Sequence, residues 1–101
     1  MDPERISDIS ISDLVISKAG RDAGKYFYVI GMEGDCLLLA NGKDRPLDRP
    51  KRKKCKHVQQ VLRPETRVAE KLRLGDKVLN GELRRDLAFL SRGMQANDLG
   101  G

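Results

Sequence analysis

Positive charge, rather than any nucleophile or metal ligand, is the chemistry this sequence concentrates. Lys18, Arg21 and Lys25 crowd one short stretch around a single acid, Asp22. Residues 43–57 then carry eight Lys or Arg against two Asp. The densest part holds Arg49, Lys51, Arg52, Lys53, Lys54 and Lys56. The whole chain of 101 residues has a net charge of only +5, from 20 basic and 15 acidic residues, so the excess sits in these two places. Clustered cations suit a polyanion, nucleic acid above all. Lys and Arg fix a backbone by its phosphates without reading its sequence, and His57 at the end of the run offers one more RNA contact. Lys also protects exposed strand edges from aggregation, but this run is denser than edge protection requires and is matched by a second cationic stretch.

Other chemistries find less support. Gly20-x-x-x-Gly24-Lys25 is one residue short of a nucleotide-binding loop, Tyr26 stands where that loop needs Ser or Thr, and a strand pattern follows instead of a helix. Cys55-Lys56-His57 with distant Cys36 offers three soft ligands, where structural zinc takes four in paired spacings. Neither cysteine has an orienting acid or an oxyanion site at recognisable spacing to make a nucleophile with His57. No catalysis, metal or cofactor is expected. The start, Met-Asp-Pro-Glu-Arg, lacks an apolar signal core, and no apolar run approaches the about 18 residues a membrane span needs. A cytoplasmic protein with Cys36 and Cys55 reduced follows, and a disulfide between them would require adjacent strands.

The elements that must hold these cations are mostly short strands. Leu14-Val-Ile and Tyr26-Phe-Tyr-Val-Ile are β-branched and aromatic runs that pack well on a pleated surface. They flank the first cationic loop, where Gly20 and Gly24 permit the backbone reversal. Strands are expected over residues 13–18, 25–32, 36–40, 45–47 and 57–61. Asn41-Gly42 marks a turn, and Pro50 blocks regular pairing. Tyr26 and Tyr28 lie on one face of the second strand, Phe27 and Val29 on the other. Any exposed ring there can stack on an unpaired base. Five short strands with tight turns make a mainly β fold, a small SH3-like barrel.

Beyond Pro64 the period changes. Thr66 caps a short helix that Gly75 ends. Asn80 caps a second, whose Leu83, Leu87 and Leu90 form an apolar stripe with Arg84, Arg85 and Asp86 outside it. Ser91-Arg92-Gly93 closes that helix. Neither helix is stable alone, so the stripe docks on the barrel's open end or on a partner protein. The expected organisation is a flexible lead-in (1–12), the barrel (13–62), a helical extension (63–93) and a disordered tail (94–101).

Residues 13–32 resemble the KOW motif of ribosomal proteins and NusG-type elongation factors: strand, basic loop, glycine, strand, with Gly24 at the motif's glycine. The fuller pattern Ser-Lys-Ala-Gly-Arg-Asp-Ala-Gly-Lys-Tyr-Phe, followed by Lys-Arg-Lys-Lys-Cys-Lys-His, is similar to small bacterial KOW-domain RNA-binding proteins. Those are related to an archaeal and eukaryotic large-subunit ribosomal protein family. The resemblance implies an SH3-like barrel that binds ribosomal or other structured RNA. The modest net charge and acidic N-terminal residues depart from a conventional ribosomal protein and leave room for an accessory role. A protein-interaction module using the barrel and the apolar C-terminal helix is the alternative.

Overall fold

The computed structural model describes the backbone of residues 9–100 and the side chains of residues 9–92. Five strands form one antiparallel sheet: β1 (Leu14–Ser17), β2 (Tyr26–Glu33), β3 (Cys36–Ala40), β4 (Lys51–Lys54) and β5 (Val58–Leu62). Their spatial order is β4-β3-β2-β1-β5. A 3-10 turn, Cys55–His57, leads from one edge strand directly into the other. Helices α1 (Arg67–Leu74) and α2 (Asn80–Gly100) follow. The fold is therefore mainly β with two C-terminal helices. Its edge strands are joined by the 3-10 turn and not by a hydrogen-bonded ladder, so the sheet curls without closing.

Alternation along the strands feeds two cores. Val15, Phe27, Val29, Leu37 and Leu39 point inward with Cys55, Val58 and Ile9. Leu14, Tyr28 and Ala40 point to the opposite face, where Val68, Ala69, Leu83 and Leu87 of the helices cover them. A side-chain period of two puts neighbours on opposite faces, and here both faces are buried. Gly31 accommodates Leu38: a Cβ there would lie 3.0 Å from the leucine's Cδ1. The register of β2 on β3 shifts at the same place, between Val29 and Gly31. That bulge bends the long strand and tightens the curl.

Several expectations are corrected. The fourth strand is Lys51–Lys54, not residues 45–47. The Asn41 side chain accepts the amides of Lys43 and Arg45 at 2.9 and 3.0 Å, winding residues 41–45 into a loop. The lead-in expected over residues 1–12 lies outside the described residues up to residue 8. From Ile9 onward the chain is docked: Ile9 is 5% exposed in the inner core, and the Ser12 amide donates to the Val29 carbonyl at 2.7 Å. Finally, the last helix does not close at residues 91–93 but runs to Gly100. A helix tolerates an interior glycine at about 1 kcal/mol. Of the disordered tail expected over residues 94–101, the backbone to Gly100 is helical, and Gly101 lies outside the described residues.

The helices dock on the outer face of the sheet, not on an open barrel end. Leu83 is completely buried and Leu87 nearly so, each such side chain contributing roughly 1.5–3 kcal/mol. Thr66 caps α1 by accepting the Ala69 amide at 3.1 Å, and Gly75 ends it in the left-handed conformation. Asn80 is the first residue of α2, inside the helix and not the cap before it. It accepts the Leu47 amide at 2.7 Å, while Glu82 accepts the Leu79 amide at 3.0 Å and pairs with Lys71 of α1 at 2.9 Å. Asp86 also departs from expectation by turning inward, accepting the hydroxyls of Tyr28 and Thr66. Burial and the Asp86 carboxylate push the Tyr28 hydroxyl well above its ordinary pKa. Among the described residues no helix is long and apolar enough to cross a membrane.

Gly42 fixes how closely α2 approaches the sheet. Its φ is +77°, and a Cβ would fall 2.3 Å from the Asn80 carbonyl oxygen. Both the dihedral and the backbone clash oppose a side chain there. Gly42→Ala is expected to lose about 1–3 kcal/mol, read as a lowered urea midpoint. An unchanged midpoint would refute this account of the docking.

Candidate nucleic-acid interface

Between β1 and β2, residues 18–25 form a tight loop that returns on itself. The Gly24 amide donates to the Ser17 carbonyl at 2.8 Å, and the Ala23 amide to that of Gly20 at 3.2 Å. Gly20 and Gly24 have φ of +84° and +90°, so both turn positions are ones that disfavour other residues.

The basic run reaches this loop through β4. Strand alternation sends Lys53, opposite Leu37, to the inner face, where it is 8% exposed. Its Nζ donates to Asp22 Oδ1 at 2.6 Å, the Ala19 carbonyl at 2.7 Å and Ser17 Oγ at 3.0 Å. All three ammonium donors are thereby directed at Ser17, the last residue of β1, and at the loop that follows it. Ser17 Oγ also donates to Asp22 Oδ1 at 2.9 Å. Asp22 Oδ2 has no hydrogen-bond partner among the described residues and faces Lys51 Nζ at 3.6 Å. Burial alone would raise the Asp22 pKa. The hydrogen bonds from Lys53 and Ser17, with the charges of Lys53 and Lys51, outweigh it and hold the carboxyl at about 2.

A second link is backbone. The Lys18 amide donates to the His57 carbonyl at 2.8 Å, setting Lys18 beside the 3-10 turn that carries exposed Lys56. The backbone of the loop and the end of the basic run are thus adjacent. Cations of the two segments share a depression of about 200 Å³ lined by Arg21, Lys25, Arg45 and Lys51, with Asp22 and Asp44 as its two acids.

The expected contact residues divide accordingly. Lys18, Arg21, Lys54 and Lys56 are exposed and pair with no acid among the described residues, as is Arg49 in the separate turn at residues 46–49. His57 is half-buried. Lys25 is exposed but lies 3.1 Å from Asp44, whose pKa is lowered by its hydrogen bonds from Asn41 and Lys25. Arg52 lies on the opposite sheet face, 3.4 Å from Glu33. Lys53 is the correction: it is a buried structural cation, not a phosphate contact. Arg45 was missed by reading charge density alone, because it sits in what looked like a strand.

Of the aromatic side chains, Phe27 and Tyr28 are fully buried. Tyr26 is half-buried and lines a surface groove. Cys36 and Cys55 are both free thiols, and no cluster of three His, Cys, Asp or Glu suited to a metal occurs among the described residues. Neither a scan of protein-family models nor a search of curated proteins returns a match for this chain.

The Lys53–Asp22 pair generates a stability prediction. The Asp22 pKa lies near 2 in the folded chain against 3.8 for a free side chain. The folded state therefore holds its proton less tightly, and this stabilisation is present above about pH 4 and lost as pH falls through about 2. It amounts to about 2 kcal/mol. Asp22→Asn is expected to cost about 3–5 kcal/mol at pH 7, by leaving Lys53 buried without its counter-charge. It also flattens the decline between pH 4 and 2. Urea unfolding across that range checks both, and a variant as stable as the parent at pH 7 would refute them.

Proposed function

We infer that this chain is a non-catalytic RNA-binding protein that grips the sugar–phosphate backbone of structured RNA, ribosomal RNA foremost, in the cytoplasm. One observation carries the reading. Two basic segments about thirty residues apart in sequence contribute Arg21, Lys25, Arg45 and Lys51 to one depression, where cations outnumber acids. Asp22 is absorbed by Lys53 and Lys51, and Asp44 by Lys25. Lys18, Arg21, Arg45 and Lys56 pair with no acid among the described residues. Spaced cations on a rigid curled sheet suit contact with phosphates, not base readout. The resemblance to KOW-domain proteins points the same way.

A protein partner is the second reading. Its original support is weakened, since Leu83 and Leu87 are consumed inside the fold. It now rests on Phe89, 69% exposed beside Val68 in the cleft between the helices.

Each phosphate neutralised releases counterions, so affinity falls with salt by about 0.7–0.9 in logarithmic slope per contact. The triple variant Lys18→Gln, Arg21→Gln, Lys56→Gln is expected to reduce the slope for a ribosomal RNA fragment by about 2. Arg52→Gln changes it less, because Glu33 already matches that charge. Fluorescence anisotropy over a salt series makes the measurement. Salt-independent binding, or a triple variant indistinguishable from the parent, would overturn the assignment. Crosslinking in cells with sequencing of the attached RNA then identifies the target.

A further inference from the structure

Beside the phosphate-binding face lies a groove of about 510 Å³ between the start of β2, the loop after β3 and helix α2. That volume falls within the about 300–1,000 Å³ typical of ligand pockets. Its wall combines an aromatic ring, Tyr26, and an aliphatic side chain, Leu87, with three cations, Lys25, Lys43 and Arg84. The acid in the lining, Asp44, is already engaged by Lys25 at 3.1 Å and by the Asn41 amide at 2.8 Å. Arg84 is held in position by donating from Nη1 to the Gly42 carbonyl at 3.2 Å.

We propose that this groove receives one unpaired nucleotide of the bound RNA, with the base stacked on Tyr26 and its phosphate met by Lys43 and Arg84. The inference rests on the RNA-binding reading and adds a preference within it. A flat apolar ring joined to an anion is the ligand whose two parts match the two chemistries of the wall. Base–aromatic stacking accepts any base, so the preference is for an unpaired residue and not for a sequence. Continuity supports RNA over an acidic peptide. Lys25 and Asp44 line both this groove and the cationic depression, so one polynucleotide strand can run from one into the other without leaving positive surface.

Tyr26 also packs against the outer core, so the decisive variants keep an apolar side chain of similar length. Two RNA hairpins serve as probes, identical except for a single-nucleotide bulge. The parent protein and Tyr26→Phe are expected to bind the bulged hairpin about 5- to 100-fold more tightly than the paired one. In Tyr26→Leu that preference disappears while affinity for the paired hairpin is retained, and circular dichroism confirms an unaltered fold. Equal binding of both hairpins by the parent, or a Tyr26→Leu protein that still prefers the bulge, overturns the nucleotide site and leaves the phosphate-binding face standing. An acidic tyrosine-containing peptide that binds in a Tyr26-dependent manner, with no bulge preference, also overturns it in favour of a peptide groove. Failure to bind either hairpin sinks the RNA-binding reading itself.

Discussion

The buried ion pair between Lys53 and Asp22 holds the cationic loop to the edge of the sheet. It joins the edge strand β4 to the loop between β1 and β2, two segments that share no backbone ladder. An ammonium with three short hydrogen bonds and a carboxylate that accepts two of the donors around it compensate much of the cost of removing two charges from water. The arrangement also shapes the surface chemistry. Asp22 lies in the middle of a cationic region, yet its negative charge is turned inward and neutralised there. The positive side chains around it keep their outward field, and the loop that presents them is pinned.

The sheet is covered on both faces, which is unusual for so short an antiparallel meander, where one face commonly meets water. The inner face is closed by curvature, by the 3-10 turn and by Ile9. The outer face is closed by two helices that do not stand alone. Asp86 ties these layers together, because its carboxylate accepts one hydroxyl from the sheet, Tyr28, and one from the cap of α1, Thr66. A buried carboxylate elsewhere, Asp13, has a comparable role. It accepts a two-pronged contact from Arg63 at 2.9 and 3.2 Å and a bond from Gln60 at 2.8 Å. The first strand is thereby fastened to the end of the last.

Much of this was legible in local sequence chemistry. The glycines at 20 and 24, the strand pair around them, the Thr66 cap and the Gly75 stop each depend on residues within a few positions. The Leu83–Leu87 stripe was equally plain, although its docking face was not. What escaped reading depended on partners far away in sequence. Four consecutive cations at 51–54 read as phosphate contacts or as a solvated, charged strand edge. Only the carboxylate at position 22, thirty-one residues earlier, makes an inward Lys53 acceptable. Residues 45–47 resemble a strand until the Asn41 side chain takes the Arg45 amide and Asn80 that of Leu47. Asp86 reads as solvent-facing because its two hydroxyl partners lie on other elements.

Gly42 has one more consequence. Because it lets the first turn of α2 rest against the loop after β3, residues roughly forty apart in the chain become opposite banks of one channel. The curled sheet by itself carries the lysines and arginines near residues 18–25 and 51–56, whose contacts are settled within the β region. The aromatic channel exists only after the C-terminal helix has come home. The groove beside Tyr26 is therefore closed by segments farther apart in the chain than those the Lys53–Asp22 pair ties together.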